Sequence, residues 1–259
     1  MKIGFALLPV VVLLLGSAAF AESPFDGTWT LNTSKSHLAG ETMSYADAGS
    51  GMLMYTDSDQ SYTFKPDGSS FTTPMGTEKT FLKNGDDNYT VTSKKGSLLL
   101  STLTIKVSAD GKTLMEESKG TKPNGDTFDN TYTYIRTSPG TGLIGGWKST
   151  QVKLSSPNSL TIQTDTADGV TFTLSAIKAT CQAKWNGQDF PATGPTVSDG
   201  VTLALSKTGP GSFKLVQKFK NKVIAIAHYK LGADAKTMIV HGTNGQGKEP
   251  YSETFEKQS

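Results

Sequence analysis

Phe25-Asp26-Gly27-Thr28-Trp29-Thr30-Leu31 returns later in the chain as Leu143-Ile144-Gly145-Gly146-Trp147-Lys148. Each copy reads Gly-x-Trp, and each opens a long run of strand-like sequence. After the first copy, apolar residues alternate with polar ones in Ser61-Tyr62-Thr63-Phe64, Asn88-Tyr89-Thr90-Val91-Thr92 and Ser101-Thr102-Leu103-Thr104-Ile105-Lys106-Val107. Thr131-Tyr132-Thr133-Tyr134-Ile135-Arg136 closes the series. Side chains of a strand alternate between its two faces, so a period of two describes strands with one buried face. Turn signals such as Pro66-Asp67-Gly68 and Ala109-Asp110-Gly111-Lys112 end these runs. Short strands between frequent turns predict an antiparallel sandwich or barrel. Helix is expected only as a turn or two near Thr33 to Leu38.

The pattern is written twice. Val107-Ser108-Ala109-Asp110-Gly111-Lys112-Thr113-Leu114 answers to Leu231-Gly232-Ala233-Asp234-Ala235-Lys236-Thr237-Met238, and Tyr134-Ile135-Arg136 to Phe255-Glu256-Lys257. The matches keep their order, which describes a duplication and not a solenoid of shorter repeats. Between the halves, Thr137-Ser138-Pro139-Gly140-Thr141-Gly142 reads as a linker. The expected organisation is therefore all-β, with a leader at 1–21 and two tandem antiparallel barrels at 22–138 and 139–259.

The leader reads as a Sec-type signal peptide. Lys2 gives the positive end, 3–15 is nearly all apolar, and Ala19-Phe20-Ala21 is an A-x-A cleavage site. The expected location is the bacterial periplasm or the extracellular medium, with no membrane span after cleavage. Cys181 is the one cysteine, so no intrachain disulfide can form. The charges nearly cancel, 25 Lys+Arg against 23 Asp+Glu, and Arg136 is the only arginine. Neither a strong positive field nor a set of guanidinium forks is available, which argues against nucleic acid as a partner.

A closed sheet needs a plug where its first and last strands meet, and a tryptophan fills such an end. A glycine two residues earlier lets the backbone pass close beneath the indole. A cation from the last strand can lie over the ring. This logic pairs Trp29 with Arg136 and Trp147 with Lys257, each behind its glycine, Gly27 or Gly145. On these residues each half resembles the lipocalin/calycin superfamily, with its N-terminal Gly-x-Trp and a basic residue on the last strand. The whole mature chain resembles secreted bacterial lipocalin-like proteins of unknown function through three further stretches. These are Gly27-Thr28-Trp29-Thr30-Leu31-Asn32 with Lys35-Ser36, Trp185-Asn186-Gly187-Gln188-Asp189-Phe190-Pro191 with Thr193-Gly194, and Ala233-Asp234-Ala235-Lys236-Thr237. The resemblance implies two lipocalin-like barrels whose tryptophans serve structure.

No catalytic set stands out. Ser175-Ala176-Ile177-Lys178, Ser198-Asp199-Gly200 and Lys207-Thr208-Gly209 mimic the motif set of penicillin-binding enzymes. Their spacing is too compact, and the segment reads as strand where the nucleophile must open a helix. Cys181 has no histidine near it in sequence and reads as a structural thiol. Asn186-Gly187 reads as a hairpin turn. Carrying the inward parity of Leu103, Ile105 and Val107 across to the second half points His228 and His241 outward. If Leu231 faces Met238 across the turn, the two histidines face each other. They read as a solvated pair, and no metal or cofactor is expected.

Met43, Met52, Met54 and Met75 crowd one part of the first half, with Tyr45, Tyr55, Tyr62 and Tyr89 nearby. They are the candidates for lining a pocket, since methionine adapts to irregular apolar spaces. The expected function is non-enzymatic binding of a small apolar or amphipathic molecule in a barrel lumen. The alternative is a structural or interaction module of the envelope with filled barrels. An apolar cavity of several hundred cubic ångströms separates the two.

Overall fold

The computed structural model describes residues 23–156, 158–165 and 168–258; the expected leader lies outside the described residues. Strand β1 (Gly27–Leu31) leads into a 3-10 turn, Thr33–Lys35, where a helical turn was expected. The Asn32 side chain caps that turn by accepting from the amides of Ser34 and Lys35. Next come β2 (Thr42–Gly49), β3 (Met52–Thr56), β4 (Ser61–Phe64), β5 (Asp67–Thr72), β6 (Glu78–Gly85) and β7 (Asn88–Lys95). They are followed by β8 (Leu98–Val107), β9 (Thr113–Thr121), β10 (Thr127–Arg136) and β11 (Gly145–Lys153). The rest of the chain forms β12 (Ser159–Thr164), β13 (Gly169–Leu174), β14 (Ala179–Lys184), β15 (Asn186–Pro191) and β16 (Val201–Gly209). It ends with β17 (Ser212–Phe219), β18 (Lys222–Leu231), β19 (Thr237–Asn244) and β20 (Tyr251–Lys257). All ladders are antiparallel. They build two nearly closed ten-stranded barrel-like sheets. Among the described residues no helix is long and apolar enough to cross a membrane.

The opening strands are exchanged between the two sheets. The first barrel is β2 to β11; the second is β12 to β20 with β1 inserted between β12 and β20. Trp29 therefore lies opposite Leu160 and Lys257, and Trp147 opposite Arg136 and Met43. The pairing of Trp29 with Arg136 and of Trp147 with Lys257 is corrected. The Lys257 ammonium sits 5.4 Å from the Trp29 ring centre, and the Arg136 guanidinium 4.1 Å from that of Trp147. Chain connectivity gives the reason. β11 follows β10 through a short loop, so pairing them closes a small loop at little entropic cost. That takes the place beside β10 that β1 would need, and leaves β1 the equivalent gap between β12 and β20.

The division at residue 138 is corrected with it. The stretch 137–142 is not a link between barrels but part of the β10–β11 hairpin loop. Arg136 holds that loop by donating to the carbonyls of Gly142 and Ile144, and ties it to the β8–β9 turn by donating to that of Gly111. The chain crosses between sheets at 32–41 and again after Lys153. The crossings are stitched by the Leu31 amide donating to Asn158 O (3.0 Å) and the Ser149 amide to Glu41 O (2.8 Å).

Both tryptophans are fully buried and hooked alike. Trp29 Nε1 donates to Phe25 O at 2.8 Å, and Trp147 Nε1 to Leu143 O at 3.0 Å. The Gly-x-Trp glycines have a physical reason. Gly27 and Gly145 both have φ of +131°, and a Cβ there would stand 2.6 Å from Lys257 Cε and 2.4 Å from Arg136 Nη1. A side chain would collide with the cation that covers the indole. Asn186 and Gly187 follow Trp185 at the start of β15, where Gly187 has φ of +75° and Asn186 Oδ1 accepts from the Gln188 amide, and the Thr180–Thr193 bridge pairs the chain on either side of them.

Candidate functional site

The two lumens differ. The first is filled with rings. Tyr45, Phe64, Phe81 and Tyr89 are buried, and Tyr55, Tyr62 and Phe71 pack against them. Ring centres lie 5.2 Å apart for Tyr45 and Tyr55, 5.1 Å for Tyr55 and Tyr62, and 4.5 Å for Phe64 and Phe81. Tyr45, Tyr55 and Tyr62 thus pack in a chain of rings, and Tyr89 packs against Phe81 at 5.6 Å, all as core. Met43 is buried with them, Met52 is half-buried and Met54 is exposed. A recess of only about 100 Å³ touches Met43, Tyr55 and Tyr134.

The second lumen holds a cavity of about 440 Å³. Leu31, Leu160, Phe172, Leu215 and Phe255 line it from five strands, so it runs inside the barrel. Small residues keep it open. With Val107 matched to Leu231, Ala227 stands where the first barrel has Leu103. Ala179 and Ala225 line the cavity as well. Cys181 also lines it; burial pushes its thiol up to about 11, which suits an inert structural group. Of the methionines singled out, Met75 reaches this cavity, although its own strands belong to the other barrel. The turn between β5 and β6 carries it there, and Ser198 Oγ donates to Met75 O at 2.7 Å. Lys95 Nζ from the first barrel donates to Val197 O beside it.

Each lumen contains one inward carboxyl at the same height, a feature missed in the sequence. Glu116 on β9 lies opposite Ile105 and Tyr132. Glu253 on β20 lies opposite Val240, which lies opposite Tyr229. Matching Leu114 to Met238 and Tyr134 to Phe255 puts both acids on the same rung, on neighbouring strands. The available signal was parity: Glu116 is two residues from the inward Leu114, and Glu253 two from the inward Phe255.

Their surroundings separate them. Glu116 is buried and accepts from Tyr134 Oη at 3.3 Å. Burial pushes it up to about 7, against the pull of the Tyr134 hydrogen bond and of Lys79. Glu253 lines both the cavity and an adjoining recess of about 350 Å³ between the sheets, as do Tyr251 and Asn158. Burial holds its carboxyl above the ordinary range. Burial and then the neighbouring Glu253 push Tyr251 up to about 12, and Tyr229 rises for the same reasons. Gly242 makes room for Tyr251: a Cβ there would stand 2.0 Å from the ring.

A larger cleft of about 790 Å³ lies between the sheets and is lined mainly by polar residues, among them Asp57, Ser149, Asn244 and Glu249. On the outside of the second barrel His228 and His241 lie directly opposite each other, both exposed. Ser252 is opposite His241, and an isolated bridge sets His37 opposite Ser252. All three histidines therefore fall in one row. Among the described residues no three or more metal-ligating side chains gather. The chain matches no protein-family model, no curated protein and no solved structure.

Proposed function

We propose that this chain is an exported, non-enzymatic binding protein that carries a small apolar or amphipathic molecule in the lumen of its second barrel, a lipocalin-like use of a closed sheet. The carrying observation is the cavity of about 440 Å³ held open by alanines inside an apolar wall. Ligand sites are concave, mostly apolar and furnished with a few polar groups, and this lumen has that character. The first barrel is packed through its centre and fits the other reading, a structural module: it supplies Met75 to the mouth of its neighbour.

The test is native mass spectrometry of the mature protein isolated from its own compartment, before and after organic extraction. A mass excess that disappears on extraction is expected. It is also expected to be absent from Ala227→Phe, which fills the lumen. A bare wild-type mass under gentle conditions, or an excess that persists in Ala227→Phe, counts against the lumen.

A further inference from the structure

We propose that the lumen of the second barrel selects an apolar molecule bearing a protonated amine, with Glu253 as the group that receives it. This rests on the reading of the lumen as a ligand site. Glu253 is half-buried between Tyr251 and Phe255, at the boundary of the apolar cavity and the recess, and burial already holds its carboxyl above the ordinary range, so a cationic partner there would be favoured. Among the described residues, no lysine, arginine or histidine lines the cavity. The Glu253 carboxyl also has no hydrogen-bond donor or ion-pair partner among the described residues, its backbone alone being paired in the β19–β20 ladder. The one cation lining the adjoining recess is Lys122. Its ammonium donates to neutral oxygens of the same recess, Ser156 O at 2.7 Å, Ser156 Oγ at 3.0 Å and Asn158 Oδ1 at 3.3 Å, and not to Glu253.

The duplicated rung sharpens the contrast. In the first barrel the acid has a partner on its own strand pair: Tyr134 donates to Glu116, and packed rings leave no room for a guest. In the second barrel the quasi-equivalent of Tyr134 is Phe255, which has nothing to donate. The acid there keeps its acceptor capacity, and space for a ligand lies beside it. The other titratable groups that face this space are Tyr229, Tyr251 and Cys181, all held neutral by burial. Glu41 and Glu249 also line the recess. Among the described residues no cation lines the cavity, and the recess sets three carboxyl groups, Glu41, Glu249 and Glu253, against the one ammonium of Lys122, a balance that disfavours a carboxylate ligand and favours an ammonium. An alkyl tail would fill the alanine-lined part of the lumen while the amine reaches Glu253.

The experiment is calorimetric titration of the extracted, full mature protein at neutral pH with decylamine, decanol and decanoic acid. Wild type is expected to bind decylamine at least about tenfold more tightly than decanoic acid, with decanol between them. Glu253→Gln is expected to bring decylamine to within about twofold of decanol while leaving decanol binding unchanged, which also shows that the variant is folded. Equal binding of all three by wild type, or an amine preference that survives Glu253→Gln, overturns the amine inference and leaves the lumen reading standing. No binding of any of the three overturns both.

Discussion

Replacing Trp29 with alanine is expected to remove about 3–5 kcal/mol from the second barrel, although Trp29 lies on β1, ahead of every strand of the first barrel. The indole is fully buried and packs in the core that contains Phe25, Leu160 and Phe255. Its loss leaves a void, strips the Phe25 carbonyl of its donor and uncovers Lys257. A domain has only about 5–15 kcal/mol of stability, so the second barrel becomes marginal. Hydrogen exchange read peptide by peptide separates the sheets. Peptides from β17 to β20 should exchange at least about a hundredfold faster, with much smaller changes in β6 to β9. Trp147→Ala should do the reverse. Faster exchange confined to the first barrel in Trp29→Ala contradicts the exchanged pairing.

The second large effect is on pH. Glu116 is pushed up to about 7 in the folded protein, from an ordinary value of 4.5. Below 4.5 both folded and unfolded chains hold this proton, and above 7 neither does. Between those values the unfolded chain releases it first, so the folded state binds more protons and stability falls as pH rises. The loss is on the order of 3 kcal/mol across that window. It belongs to the first barrel. Glu116→Gln keeps an acceptor for Tyr134 and should abolish this part of the slope, leaving the variant more stable than wild type at pH 8. Urea denaturation at a series of pH values measures it. A wild-type slope unchanged by Glu116→Gln shows that Glu116 is not the group titrating.

Alternation made much of this architecture readable. Leu103, Ile105 and Val107 set the inward parity, and transferring it across the duplication aligned His228 with His241, because a one-residue slip would have turned both strands inside out. The strand exchange was not readable for the same reason. Two tandem copies with the same Gly-x-Trp opening and a basic residue on each last strand give Trp29 two chemically equivalent partners, Arg136 and Lys257. Periodicity says which side of a strand is buried and nothing about which copy buries it. Loop length decides the matter, and its sign was present in the brevity of 137–144.

The site was less legible. Aromatic and methionine residues mark apolar space without saying whether it is filled or empty. Tyr45, Tyr55, Tyr62 and Tyr89 are large enough to pack the first lumen solid. The cavity comes instead from smallness, Ala227 where the other half has Leu103. Glu253 is an acid on the buried side of a strand, a break in local pattern of the kind that accompanies function.

The exchange of opening strands decides which tryptophan seals the cavity, so it is the claim to test most directly. Thr28 and Thr161 lie opposite each other on β1 and β12, with their hydroxyl oxygens 3.0 Å apart. In a Cys181→Ser background, Thr28→Cys with Thr161→Cys should form a cross-link within one chain on mild oxidation, seen as a monomer whose linked peptide joins the two positions. Without exchange, β1 would lie where β11 lies, beside β2, and Thr28 would face Ser44 as Gly146 now does. A cross-link in Thr28→Cys with Ser44→Cys and none with Thr161→Cys would contradict the fold described here, as would a Thr28–Thr161 link found only between two chains.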